Sequence, residues 1–120
     1  MARKQFQTLS EPMYYVLLSL TKECCGVDIM KNVETISNGR IRVGPGTLYT
    51  LLRKFQQAGL IKETSVEGRK ISYIITEDGI NILKEEYNRL LLMVNDGKTF
   101  LDKYLFSLKI IIRTIKIKSS

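Results

Sequence analysis

Thr50, Arg53, Lys54 and Gln57 recur at three- and four-residue steps, so a helix through residues 47–57 sets them on one face, with Thr47 and Tyr49 on its shoulders. Hydroxyl, guanidinium, ammonium and amide groups on one helix face can bond base edges and phosphates in a major groove. No carboxylate shares that face. A second basic pair, Arg69-Lys70, follows Gly68 at the tip of an expected hairpin, where it can reach a phosphate or a minor groove. Arg40 and Arg42, just ahead of the helix, are further candidates for phosphate contacts. On pattern alone the same residues also suit a solvated helix face and an ordinary turn.

Other chemistry is poorly supplied. The chain has no His, which removes the commonest general base and the commonest metal ligand together. Its two cysteines, Cys24 and Cys25, are adjacent, so a disulfide between them is strained, and no second pair completes a zinc site. No Gly-rich phosphate loop and no clustered carboxylates are present. The expectation is therefore no enzyme, no cofactor and no metal. A thiol- or metal-responsive regulator using Cys24 and Cys25 stays open as an alternative. Met1 to Phe6 lacks the apolar run of a signal peptide, and no uncharged stretch reaches the ~20 residues of a membrane span. A reducing, cytoplasmic setting without stable membrane insertion is expected.

The balance of charge agrees with a polyanionic partner. In 120 residues, 19 Lys and Arg face 12 Asp and Glu, a net charge of +7, while the 44% apolar content is that of one folded domain. Net charge alone does not choose among DNA, RNA and an anionic membrane.

The elements that must position the basic groups follow from periodicity. Met13, Leu17, Leu20 and Cys24 predict a first helix over 12–24 behind Ser10-Glu11-Pro12. Ile29, Val33 and Ile36 predict a second over 27–37, ended by Asn38-Gly39. Leu48, Leu51, Leu52 and Phe55 give the third, with Gly44-Pro45-Gly46 leading in and Thr47, or the residue before it, as cap; Ala58-Gly59 closes it. Two β-branched runs, Leu60 to Val66 and Arg69 to Thr76, meet around Glu67-Gly68 as a hairpin. A last helix begins after Thr76. Ile80, Leu83, Tyr87, Leu90 and Val94 alternate three- and four-residue steps, Asp96-Gly97 interrupts them, and Leu101, Tyr104 and Leu108 resume the phase. The expected class is mainly α (α+β): a winged helix-turn-helix with a two-stranded wing over 1–76, a long C-terminal dimerisation helix over 77–109, and a basic tail, 110–120, of no assigned structure.

The motifs are more specific than the pattern. Gly39-Arg-Ile-Arg-Val-Gly-Pro-Gly-Thr-Leu-Tyr49, then Leu51-Leu52-Arg53 and Ala58-Gly59-Leu60-Ile61, resemble the PadR-type transcriptional regulators. Ser10 to Tyr15 with Leu17-Leu18 is similar to that family's first helix. Gly68-Arg69, Tyr73 and Thr76-Glu77-Asp78-Gly79 are similar to its wing and the start of its dimerisation helix. The resemblance implies a homodimeric repressor on a pseudo-palindromic operator in double-stranded DNA, often released by a small-molecule effector. It implies pairing through the first and last helices, which nominates Val16, Leu18, Leu83, Tyr87, Leu90, Val94, Gly97 and Leu101. Cys24-Cys25 stands where a proline-containing turn is usual, and Val27 where a tyrosine is common, so no effector site carries over. A winged-helix protein-interaction module is the remaining alternative; it predicts no duplex binding and little salt dependence.

Overall fold

The computed structural model describes residues 8–119. Residues 1–7 and Ser120, assigned above to the DNA-binding domain and the tail, lie outside the described residues. The chain divides into two compact units at Glu86–Tyr87.

In the first unit, helix α1 spans Glu11–Ser19. The Ser10 hydroxyl accepts from the Met13 N–H (3.3 Å), and Pro12, which lacks an N–H, sits in the first turn where none is needed. The helix stops well short of Cys24. The Leu20 carbonyl instead accepts from the Ile75 N–H (2.8 Å), and Cys24–Cys25 form a two-residue strand, β1. Helix α2 spans Gly26–Ile36 and ends at Ser37, with Asn38 (φ 55°) and Gly39 (φ 80°) in left-handed conformation reversing the chain. The Ser37 hydroxyl accepts from the Ile41 N–H (3.0 Å), fixing the link to the next helix.

Helix α3 spans Pro45–Gln57, and its N-cap is Gly44 rather than Thr47. Proline's fixed φ and missing N–H suit the first helical position, so the helix begins two residues before the expected start. At its far end Gly59 (φ 76°) allows the Leu60 N–H to reach the Phe55 carbonyl (2.9 Å) and the Gly59 N–H the Gln56 carbonyl (3.1 Å). Strands β2 (Ile61–Glu67) and β3 (Lys70–Ile75) then pair antiparallel from Ile61↔Ile75 to Glu67↔Lys70, with an irregularity between Glu63 and Ser65. β1 joins the other edge of β3, Cys24 opposite Tyr73, giving the order β1-β3-β2. The expected two-stranded wing is thus a three-stranded sheet. Two residues are too few to show a period-two pattern, and Cys24 reads equally well as a helical position.

Helix α4 spans Glu77–Ser119 without a break. Thr76 caps it: its hydroxyl donates to the Gly59 carbonyl (2.6 Å) and accepts from the Gly79 N–H (3.1 Å). Neither Gly97 nor the Ile110-Ile111-Ile112 segment leaves the helix: the heptad pattern interrupted at Asp96-Gly97 continues as one helix, and the tail left without assigned structure is helical through Ser119. One glycine costs a helix only about 1 kcal/mol, which the turns on either side outweigh.

The core lies wholly in the first unit. Val16, Leu17 and Leu20 meet Ile29 and Val33, then Leu48, Leu52 and Phe55, with Leu60, Ile61 and Tyr73 from the hairpin and Ile82 and Leu83 from the start of α4. Buried Glu86 accepts a hydrogen bond from the Leu9 N–H, tying the segment before α1 to α4. No helix among the described residues is long and apolar enough to cross a membrane.

Candidate nucleic-acid interface

The four apolar positions of α3, Leu48, Leu51, Leu52 and Phe55, are all buried, and this forces the residues between them outward. Thr47, Thr50, Arg53, Lys54 and Gln57 are all exposed. The Thr50 hydroxyl donates to the Gly46 carbonyl one turn back (2.9 Å), which leaves its oxygen as an acceptor toward solvent. Among the described residues no carboxylate lies within ion-pair distance of Arg53, Lys54, Arg69 or Lys70. Four cations without acidic partners keep their full charge for an outside anion.

Tyr49 stands apart from the rest of the face. It is half exposed and leans onto the start of α2, where a Cβ at Gly26 would come within 2.8 Å of its hydroxyl oxygen. A larger residue at 26 would push the Tyr49 ring aside. A cleft of about 450 Å³ opens beside this contact, walled by Cys25–Asp28, Tyr49 and Arg69–Ile71. The start of α2, the outer edge of α3 and the hairpin tip therefore share one hollow. Gly68 (φ 62°) makes the tight turn that carries Arg69 and Lys70 there. Cys25, Gly26, Val27, Asp28 and Ile71 were not anticipated at this place. The one sequence clue was the small residue at 26, which means little without knowing that Tyr49 packs over it.

Arg40 and Arg42 have other partners. The Arg40 guanidinium donates to the Tyr15 hydroxyl (2.7 Å), lies over the Tyr15 ring and is 3.7 Å from Glu11. Arg42 is 3.4 Å from Glu34. Both pairs are exposed, so they hold these arginines only weakly. The two thiols point to different neighbours. Cys24 contacts buried Ser19 and, at the core's edge, Asn32, whereas Cys25 donates to Asp28 (3.4 Å) at the cleft, as alternation along a strand requires. Burial pushes the Cys24 thiol above its ordinary pKa, against hydrogen bonds from Ser19 and Asn32 that act the other way. No group of three or more Cys, Asp or Glu side chains able to hold a metal occurs among the described residues.

The profile of the transcriptional regulator PadR-like family matches residues 16–85, more than half the chain, from α1 to the first turns of α4. The chain belongs to the PadR-like family of transcriptional regulators. Such proteins regulate transcription and are not enzymes. No curated protein matches the chain. Solved structures share its winged-helix fold. A transcriptional regulator from Clostridium thermocellum is 22% identical with a TM-score of 0.63, over 75% of this chain and 88% of its own. A PadR family regulator from Clostridium difficile is 19% identical with a TM-score of 0.64, over 77% of this chain and 99% of its own. Bordetella bronchiseptica BpsR, whose DNA binding is regulated by 6-hydroxynicotinic acid, is 16% identical with a TM-score of 0.61, over 78% of this chain and 67% of its own.

For this PadR-like chain the residues expected at a dimer interface separate into two groups. Val16 and Leu83 are buried in the core of their own chain and have no surface to offer a second copy. That is a correction: the resemblance nominated both for the interface, but both point inward. Leu18, Leu90 and Gly97 are half-buried, and Tyr87, Val94 and Leu101 are exposed.

Proposed function

We propose that this PadR-like regulator is a dimeric, sequence-specific repressor that binds duplex DNA with α3 in the major groove. One observation carries the reading: the outer face of α3 is exposed, basic and free of acidic partners, and the core side chains beneath it fix its direction. Arg53, Thr50 and Gln57 read base edges, while Lys54, Arg69 and Lys70 hold phosphates. Tyr49 flanks them, and Arg40 and Arg42 exchange weak surface pairs for phosphates on binding. Repression is by occupancy of the operator.

Dimerisation rests on the last helix. Tyr87, Val94 and Leu101 are large apolar side chains at heptad spacing in water, a state that a second copy relieves. Half-buried Leu18 of α1 is a second candidate for contact with another copy. Effector release rests on the cleft, because an occupant held between Tyr49, Arg69 and Lys70 takes up side chains that DNA requires. In BpsR, a structural neighbour, a small molecule regulates DNA binding.

The test is Arg53→Ala in a gel-shift assay against the operator. An arginine bidentate to a base is worth about 1–3 kcal/mol, so affinity falls roughly 5- to 150-fold while circular dichroism and oligomeric mass stay unchanged. Unchanged affinity would sink the assignment of α3 as the reading helix.

A further inference from the structure

The last turns of α4 carry apolar side chains in two rows. Tyr87, Leu90, Val94, Leu101, Tyr104 and Leu108 form the seam that the proposed dimer covers. At 3.6 residues per turn, Phe106, Ile110 and Ile117 lie about half a turn round the helix from that seam. A helix packed through one seam is ordinarily polar on the face behind it. Here that face holds three large apolar side chains, exposed to 65%, 49% and 68%. Lys103 borders the row on one side, and Arg113 and Lys109 border it on the other. The row is exposed whether or not a second copy covers the seam, because it faces the other way.

We infer that the C-terminal part of α4 docks this outer face on an anionic phospholipid surface. Charge supplies the complement. Residues 77–102 of the helix hold six acids against three cations, whereas residues 103–119 hold five cations and no acid. The basic charge is thus confined to the end that carries the outer apolar row, and lipid phosphates attract it. The apolar row selects lipid over nucleic acid. Five cations serve a duplex equally well, but Phe106, Ile110 and Ile117 gain nothing from a phosphate backbone. At a bilayer surface they enter the acyl boundary, while Lys103, Lys109 and Arg113 extend their charged ends to the headgroups. The row from Phe106 to Ile117 covers about 17 Å of helix, at 1.5 Å per residue. No helix among the described residues is long and apolar enough to cross a bilayer, so this one lies in the plane of the surface.

Cosedimentation of the full chain with vesicles tests this, using phosphatidylcholine alone and equal parts of phosphatidylcholine and phosphatidylglycerol. Binding to the mixed vesicles is expected, weaker on the neutral ones and falling as salt rises. One cation near such a surface is worth about fivefold, so Lys109→Gln with Arg113→Gln lowers partitioning about thirtyfold. Phe106→Ser with Ile110→Ser and Ile117→Ser lowers it about tenfold or more. Both variants keep the circular dichroism and oligomeric mass of the wild type. Arg69→Ala with Lys70→Ala leaves vesicle binding unchanged, which separates this surface from the DNA-reading one. No binding to the mixed vesicles overturns the proposal. Wild-type partitioning by the triple serine variant overturns it too, since charge alone would then account for the attraction. If the Lys109 and Arg113 variant keeps its vesicle binding but loses duplex affinity in a gel shift, the basic end serves DNA and the proposal fails.

Discussion

A Cβ on Gly79 would lie 2.2 Å from the Leu60 carbonyl oxygen and 2.6 Å from Ile75 Cγ1, so the first turn of α4 rests directly on the base of the hairpin. That oxygen also accepts from the Thr76 N–H (2.9 Å) and cannot withdraw without breaking the cap of the helix. Gly79→Ala is expected to lower unfolding free energy by about 1–3 kcal/mol, measured by urea titration. Two buried acids contribute to the alkaline response. Burial raises the Cys24 thiol above 9.0 and, with Glu63 and Tyr49 adding to it, the Tyr73 phenol above 10.0. Both hold their protons more tightly folded than unfolded. Their contribution is therefore intact below pH 9.0 and is lost as pH rises through the folded values. Chemical denaturation above pH 9 should show falling stability, with Cys24 resisting alkylation in the native state at neutral pH.

The hairpin and α3 work together at the next scale up. Arg69 and Lys70 sit on a turn that Gly68 makes possible, and their side chains reach the same cleft as Tyr49. As the proposed phosphate contacts they would carry no sequence information. Arg69→Ala with Lys70→Ala should weaken operator and unrelated duplex about equally and reduce the salt slope by roughly 2, in fluorescence anisotropy. An effect confined to the operator would instead make them base readers. The order of elements was legible in the sequence wherever an apolar stripe ran for three turns, as with Leu48, Leu51, Leu52 and Phe55. Positions decided by contacts distant in sequence were not. Helix α1 ends where the Leu20 carbonyl finds Ile75, and Cys24–Cys25 become a strand because β3 offers a free edge. Val16 and Leu83, nominated for the interface by resemblance, point into the core. The cleft was invisible because it needs three elements at once, whereas the polar face of α3 needed only one.

At the scale of the whole molecule, the proposed regulator would read duplex DNA twice. The proposed dimer would set two α3 helices in successive major grooves, roughly 34 Å apart, on a pseudo-palindrome. The excess of Lys and Arg over Asp and Glu makes that association one of ion exchange, since each phosphate neutralised releases condensed counterions. The direct measurement is the affinity of the wild-type chain for duplex DNA carrying its own upstream region, followed as salt rises. If 6–10 phosphates are contacted, affinity falls about 10³- to 10⁵-fold between roughly 50 and 200 mM salt, with two protected half-sites in a footprint. Absence of duplex binding, or an affinity indifferent to salt, would contradict the account.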